Sequence, residues 1–210
     1  MRTVGALQEN CYLIIDDESG AAVMVDPGAD GSTLLTMLEL SGASLEAIWL
    51  THAHVDHIGG IAEVRRRHDV PVLLHPLDRR LYDRLAAQSA EVFGVPFEQP
   101  DGPHGELYDG QSLRCGTLAF TVMHVPGHAP GHVTFNGARA TFSGDLVFRG
   151  SIGRTDLPFC DPVAMEASLA RFALLPPATI VYPGHGPSTT IEIERAENPF
   201  LAGRARPVKR

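Results

Sequence analysis

Six consecutive positions, His52-Ala53-His54-Val55-Asp56-His57, hold three imidazoles and one carboxylate. Neutral imidazole nitrogens and carboxylate oxygens are ligands that borderline divalent ions such as zinc accept, so this density points to metal binding. A lone histidine would carry no such argument, because a polar surface loop accommodates one without consequence. The segment follows the apolar run Ala47-Ile48-Trp49-Leu50, which predicts a buried strand leading into a loop. If the strand continues, His52 and His54 project to one side, and His57, on the turn entering a helix, faces a second ion. Three more candidates follow apolar, strand-like runs: His128 in Pro126-Gly127-His128-Ala129-Pro130-Gly131-His132, Asp145 in Ser143-Gly144-Asp145, and His185 in Tyr182-Pro183-Gly184-His185-Gly186-Pro187. Glycines beside them let the backbone approach an ion closely. Singly each reads as turn chemistry; with the first cluster they can complete two coordination spheres.

Elements that could position these groups alternate along the whole chain. Strands are predicted at Leu13-Ile14-Ile15, at Ala22-Val23-Met24-Val25 closing on Asp26-Pro27-Gly28, at Val72-Leu73-Leu74, through Leu118, Phe120 and Val122, at Val133-Thr134-Phe135 and Ala140-Thr141-Phe142, and at Thr179-Ile180-Val181-Tyr182. Helices are predicted after a Ser32 cap through Leu34, Leu35 and Leu38, from Gly59 to His68, over about 77 to 92, and from Ala164 to Leu175 with Pro162 in the tolerant first turn. Gly and Pro are spread as punctuation and no repeat is visible, so residues 1–210 read as one domain. Residues 202–210, with Arg204, Arg206, Lys209 and Arg210, read as a flexible, solvated tail.

The chain has 210 residues, 44% hydrophobic and 20% charged, which excludes a wholly disordered protein. Seventeen basic against 25 acidic side chains give a net charge of −8, which argues against nucleic acid as a partner. No apolar run nears the roughly 18 residues of a membrane span, and the start lacks a signal-peptide core, so no membrane partner and a cytoplasmic address are expected. Cys11, Cys115 and Cys160 are too few and scattered for a disulfide framework and read as reduced thiols.

The pattern His-x-His-x-Asp-His at His52, His54, Asp56 and His57, followed in order by His128, Asp145 and His185, resembles the metallo-β-lactamase superfamily. Asn10-Cys11-Tyr12, Val25-Asp26-Pro27-Gly28, Gly153-Arg154-Thr155-Asp156 and Glu197-Asn198-Pro199-Phe200 make it most similar to the short bacterial glyoxalase II-like hydrolases, over nearly the whole chain. The resemblance implies an α/β fold, an αββα sandwich of two mixed sheets flanked by helices. It implies two divalent metal ions, zinc being favoured and iron or manganese open. His52, His54 and His128 would hold one ion, Asp56, His57 and His185 the other, and Asp145 would bridge them. A metal-bridging hydroxide, oriented by Asp56, would then cleave a hydroxyacyl thioester, because metal lowers the pKa of water to about 7 and a thiolate leaves without a strong acid.

Other residues keep two readings. His132 and Asp26 are either ordinary turn residues or partners that support ligand histidines. Arg154, near Arg149, either binds an anionic substrate group or pairs with Asp156. Cys160 has no base near it in sequence and reads as a structural thiol. The longer glyoxalase II enzymes carry C-terminal helices that grip glutathione, whereas this chain ends soon after Phe200, so a weaker glutathione requirement is expected. An iron-dependent persulfide dioxygenase, which the Gly153-Arg154-Thr155-Asp156 pattern also resembles, is the competing reading, with lactone or other ester hydrolysis behind it. β-Lactam hydrolysis ranks low, because many true β-lactamases lack a histidine at the position of His57.

Overall fold

The computed structural model describes residues 1–208, so Lys209 and Arg210 lie outside the described residues. Six strands form the first sheet in chain order: β1 (Arg2–Val4), β2 (Glu9–Ile15), β3 (Ala21–Val25), β4 (Ser44–Trp49), β5 (Val72–Leu74) and β6 (Gly105–Glu106). In the second sheet β7 (Ser112–Cys115), β8 (Leu118–His124), β9 (Val133–Asn136) and β10 (Ala140–Gly144) are neighbours in turn. After the small hairpin of β11 (Val147–Phe148) and β12 (Ser151–Ile152), β13 (Ile180–Pro183) and β14 (Thr189–Thr190) extend that sheet beyond β10.

The period-two alternation of a strand decides which side each residue serves. Val23 and Val25 of β3, with Trp49 of β4, face Phe120, Val122, Phe135 and Phe142 of the second sheet. Ala22, Met24 and Ile48 point the other way, onto helices α1 (Gly31–Ser41) and α3 (Ile61–Arg67). β3 is buried along its whole length, as a central strand covered on both faces must be. Helices α6 (Pro162–Phe172) and α7 (Ile191–Glu197) cover the second sheet through Met165, Leu169, Phe172 and Ile191. The result is the expected αββα sandwich of two mixed sheets.

Strand direction concentrates the candidate ligands at one edge. β3 runs parallel to β4, β10 runs parallel to β13, and β8 shares the direction of β10 because both are antiparallel to β9. The loops leaving β8, β10 and β13 therefore emerge at the same end. The two sheets are tied there by Val133 N–H donating to Thr51 O (2.8 Å) and Asn10 N–H donating to Gly184 O (2.7 Å).

Local details depart from the sequence expectations. Asp30, in the left-handed region, precedes α1, so Ser32 lies inside the first turn and is not the cap. The helix expected from Gly59 to His68 is present as α3, and a separate short helix, α2 (Val55–Ile58), precedes it. The two are separated where the loop after β3 packs in, with Gly60 N–H donating to Pro27 O (2.8 Å). The segment 77–92 divides into a 3-10 turn (Pro76–Asp78), α4 (Arg79–Tyr82) and α5 (Leu85–Phe93). α6 starts as expected, with Asp161 Oδ1 accepting from Val163 N (2.9 Å) and Ala164 N (3.1 Å), but ends at Phe172. Arg204 donates to the carbonyls of Ala196 and Glu197, and Thr155 Oγ1 donates to Val208 O (2.8 Å). All three cysteines are buried free thiols. Among the described residues no helix is long and apolar enough to cross a membrane.

Asp16 illustrates how turns of the two sheets are joined. Its carboxylate accepts from Ser19 Oγ (2.6 Å) and, across to the β7–β8 turn, from Thr117 N and Oγ1 (both 2.9 Å). The Ser19 hydroxyl and the Thr117 amide hold its pKa down at about 2, from an ordinary 3.8. The folded state thus favours the ionised form, and its contribution is full above the ordinary value and lost as pH falls through the folded one. Asp16→Asn is expected to lower the urea midpoint most near pH 6, with the gap to the unmodified protein closing towards about pH 2. A gap independent of pH would contradict this.

Candidate metal centre

Each ligand-bearing segment follows a strand end. β4 ends at Trp49, so His52 and His54 lie on a loop and not on a continued strand, while Asp56 and His57 fall in α2. His128 belongs to the loop after β8, Asp145 follows β10, and His185 follows β13. His52 and His57 are wholly buried, and His54, Asp56 and His185 are partly open to solvent.

Donor atoms of His52, His54 and His128 lie within 4.8 Å of one another, and so do those of Asp56, His57 and His185. Asp145 reaches both groups: its Oδ1 is 3.3 Å from His57 Nε2, and its Oδ2 is 3.4 Å from His128 Nε2 and 3.7 Å from His185 Nε2. His185 Nε2 is also 3.2 Å from Asp56 Oδ2. A third grouping, Asp26 with His52 and His57, is geometrically close. The Asp26 carboxylate, however, is already taken up by donors from Thr51 N (2.7 Å), Thr51 Oγ1 (2.6 Å) and His57 Nδ1 (3.0 Å).

Those partners also orient the imidazoles. Thr51 gives its hydroxyl proton to Asp26, so at 3.0 Å its oxygen accepts from His52 Nδ1–H. His57 Nδ1–H donates to Asp26, and His128 Nδ1–H donates to Arg154 O (2.8 Å). In the neutral form, with the proton on Nδ1, the rings of His52, His57 and His128 each keep an Nε2 lone pair for the site, the arrangement that supports ligand histidines. Nε2 of His52, Nε2 of His57 and Oδ1 of Asp145 are buried without a hydrogen-bond partner. His54 Nδ1 faces His128 Nε2 at 2.8 Å. Buried polar atoms are rarely left unmatched, and a cation in each group answers this set of unmatched acceptors. The donor set fits two divalent ions.

Electrostatically the two groups differ: although burial opposes it, the carboxylates of Asp145 and Asp56 raise the pKa of His57 well above the usual histidine range and also raise that of His185. Burial, reinforced by His128, pushes the His54 pKa down to about 3, and burial also lowers those of His52 and His128, so all three favour the neutral form that binds metal. Burial opposes ionisation of Asp145, but the cationic tendency of His57, and after it of His185, outweighs burial and keeps the carboxyl ionised.

Residues 4–185 fit the model of the metallo-beta-lactamase superfamily. The chain belongs to that superfamily. It is 36% identical over 210 residues to hydroxyacylglutathione hydrolase GloC of Haemophilus influenzae, covering 96% of this chain and 97% of the other. Among solved structures it is similar to TTHA1623 in a di-iron-bound form, at 46% identity and TM-score 0.87 over 95% of this chain and 98% of that one. It is also similar to the BLEG-1 B3 metallo-beta-lactamase, at 40% identity and TM-score 0.90 over 96% and 98%. This superfamily member therefore has a His/Asp cluster suited to a dinuclear metal site.

The supporting residues separate on the same geometry. Asp26 contacts His57 as above. His132 is fully buried, its Nε2 accepts from Asp145 N–H (3.0 Å), and its ring stacks on His52. Loss of such partners usually costs about 10- to 100-fold in metal affinity or activity. Asp26→Ala is expected towards the upper end of that range and His132→Ala towards the lower, measured by competition with a chelating dye. Unchanged affinity in both would remove the supporting role.

Arg154 lines the cavity beside the site; its side chain is paired with Asp156, at 2.8 Å and 3.1 Å, while its carbonyl orients His128. Cys160 Sγ donates to His128 O (3.0 Å). Three contributors had no signal in the sequence. Thr51 links Asp26 to His52. Asp78, fully buried, accepts from Ala53 N (3.1 Å) and Gly131 N (2.5 Å) and so joins two ligand loops, and its burial raises its pKa to about 6. Glu9 lies buried 3.9 Å from His57 Nδ1, with neither oxygen hydrogen-bonded.

Proposed function

We propose that this chain is a dinuclear metal-dependent hydrolase that cleaves a thioester of the hydroxyacyl type. The observation that carries the reading is the pair of buried, partnerless Nε2 atoms of His52 and His57, one in each ligand group, with the Asp145 carboxylate reaching both groups. His52, His54 and His128 would hold one ion, Asp56, His57 and His185 the other, with Asp145 shared. When bound, two such ions supply an ionised water at neutral pH and a Lewis acid for the carbonyl. Asp56, partly open to solvent, orients the attacking water as well as binding metal, and is the catalytic carboxylate in this reading. Burial opposes ionisation of Asp56, but His57, and after it the hydrogen bond from His185, keeps that carboxyl ionised. A thiol of pKa about 8.5 leaves as the anion without a strong acid, so the reading requires no general acid for the leaving group. The GloC relative supports the thioester, and the di-iron neighbour supports two ions while leaving zinc, iron and manganese to be compared.

Metal analysis of protein purified without added metal, combined with a substrate panel, tests the reading. About two ions per chain and turnover of S-lactoyl thioesters are expected. The panel includes lactones and a β-lactam, the latter because a 40% identical structure is that of a metallo-beta-lactamase. One ion per chain with oxygen uptake on a persulfide would overturn hydrolysis in favour of the dioxygenase.

A further inference from the structure

Beside the candidate metal centre lies a cavity of about 580 Å³, large enough to enclose a small substrate. Besides His54, Asp56, His128, Asp145 and His185, it is lined by the apolar Leu7, Leu81, Val92, Phe148, Leu157 and Phe159, with Arg84, Gln88, Glu91 and Arg154 completing the polar part. Leu7, Val92 and Phe159 are 46%, 53% and 41% exposed, so apolar side chains face water at the mouth of a polar centre. Phe159 is held at φ 71°, a left-handed conformation that a bulky residue rarely adopts and that recurs at ligand clamps. Arg80 covers its ring at 4.8 Å, fixing it as part of the wall.

The two arginines that line the cavity are already paired with acids, and Arg80 lies against the Phe159 ring. Arg84 pairs with Glu91 at 3.3 Å, and Arg154 pairs with Asp156 through two nitrogens. To reach either lining arginine, a carboxylate on the substrate would have to displace one of these acids and would meet its negative charge at the rim. A hydrocarbon group needs no such exchange and removes the exposed apolar wall from water.

We propose that the cavity selects substrates whose group beside the scissile bond is an uncharged hydrocarbon chain, rather than one bearing carboxylates. The proposal rests on the hydrolase reading for turnover, though not for binding. Each methylene buried against the wall should raise kcat/KM about fourfold until the cavity is filled.

The test uses metal-loaded protein and N-acetylcysteamine thioesters from acetyl to octanoyl, with the succinyl thioester compared against its neutral near-isostere, pentanoyl. Thioether analogues, in which a methylene replaces the carbonyl, measure affinity by calorimetry without turnover. A rise of about fourfold per methylene in both series is expected, with succinyl at least about tenfold poorer than pentanoyl. Val92→Asp and Phe159→Gly should flatten both series; glycine accepts φ 71° without strain, so the second variant is expected to fold. Turnover with a flat chain-length dependence, or a preference for succinyl, would overturn the cavity assignment and leave the hydrolase reading intact. No turnover, with thioether affinity still rising steeply, would overturn hydrolysis and retain the cavity assignment.

Discussion

Asp145→Ala is expected to reduce bound metal from about two ions per chain to one or fewer and to lower turnover by at least about 10³-fold, beyond the about 10- to 100-fold of losing a supporting partner. Among the described residues its side chain is the one carboxylate within 4 Å of all of His57, His128 and His185, so its removal severs the two ligand groups from each other. It also removes a buried negative charge from a centre that would carry four positive charges on two divalent ions, leaving their mutual repulsion less compensated. Asp145→Asn should be intermediate in metal retention, since the amide keeps the shape and one acceptor but loses the charge. Elemental analysis after dialysis, with thioester turnover on the same sample, checks the result. Two ions retained at unmodified affinity would show that the centre is not built around Asp145.

Gly28→Ala is expected to cost about 3 kcal/mol or more of stability, or to prevent folding, because overpacking of a tight core is relieved only where the obstacle can move. A methyl group at Gly28 would overlap the carbonyl oxygen of Asp56 and come within 2.6 Å of Glu9 Oε2. The first obstacle is backbone in the helix that carries Asp56 and His57, and it has no rotamer into which to retreat. Gly153→Ala should behave similarly, since its methyl would overlap the carbonyl of Asp145 and lie 3.1 Å from His128 Nδ1. Denaturant unfolding of the metal-free variants reads the stability directly, and a metal titration of whatever folds reads the displaced ligands. Stability unchanged in both variants would mean that these loops yield more easily than their packing indicates.

Much of this molecule was legible in its residues. The seven candidate ligands were visible because metal chemistry demands particular residue types, and four of them crowd into His52–His57. The central strands were visible because Ala22–Val25 and Val133–Phe135 are apolar nearly throughout, as strands between two covered faces must be. Boundaries were less legible. The break between α2 and α3 depends on Pro27 O, contributed by a loop more than 30 residues earlier, which local periodicity cannot register.

Residue types, order and local spacing by themselves determined the set of candidate ligands, the family resemblance and the mixed α/β class. The tertiary structure decided the rest. It selected Nε2 as the bare nitrogen of His52, His57 and His128 through Thr51, Asp26 and the Arg154 carbonyl. It assigned Asp78 and Glu9 to the surroundings of the centre, and it set Arg154 against Asp156 above an apolar cavity. These are contacts between common residue types, and most join residues 25 or more positions apart. Their chemistry comes from burial and from the direction of a single hydrogen bond, neither of which exists until the two sheets have packed.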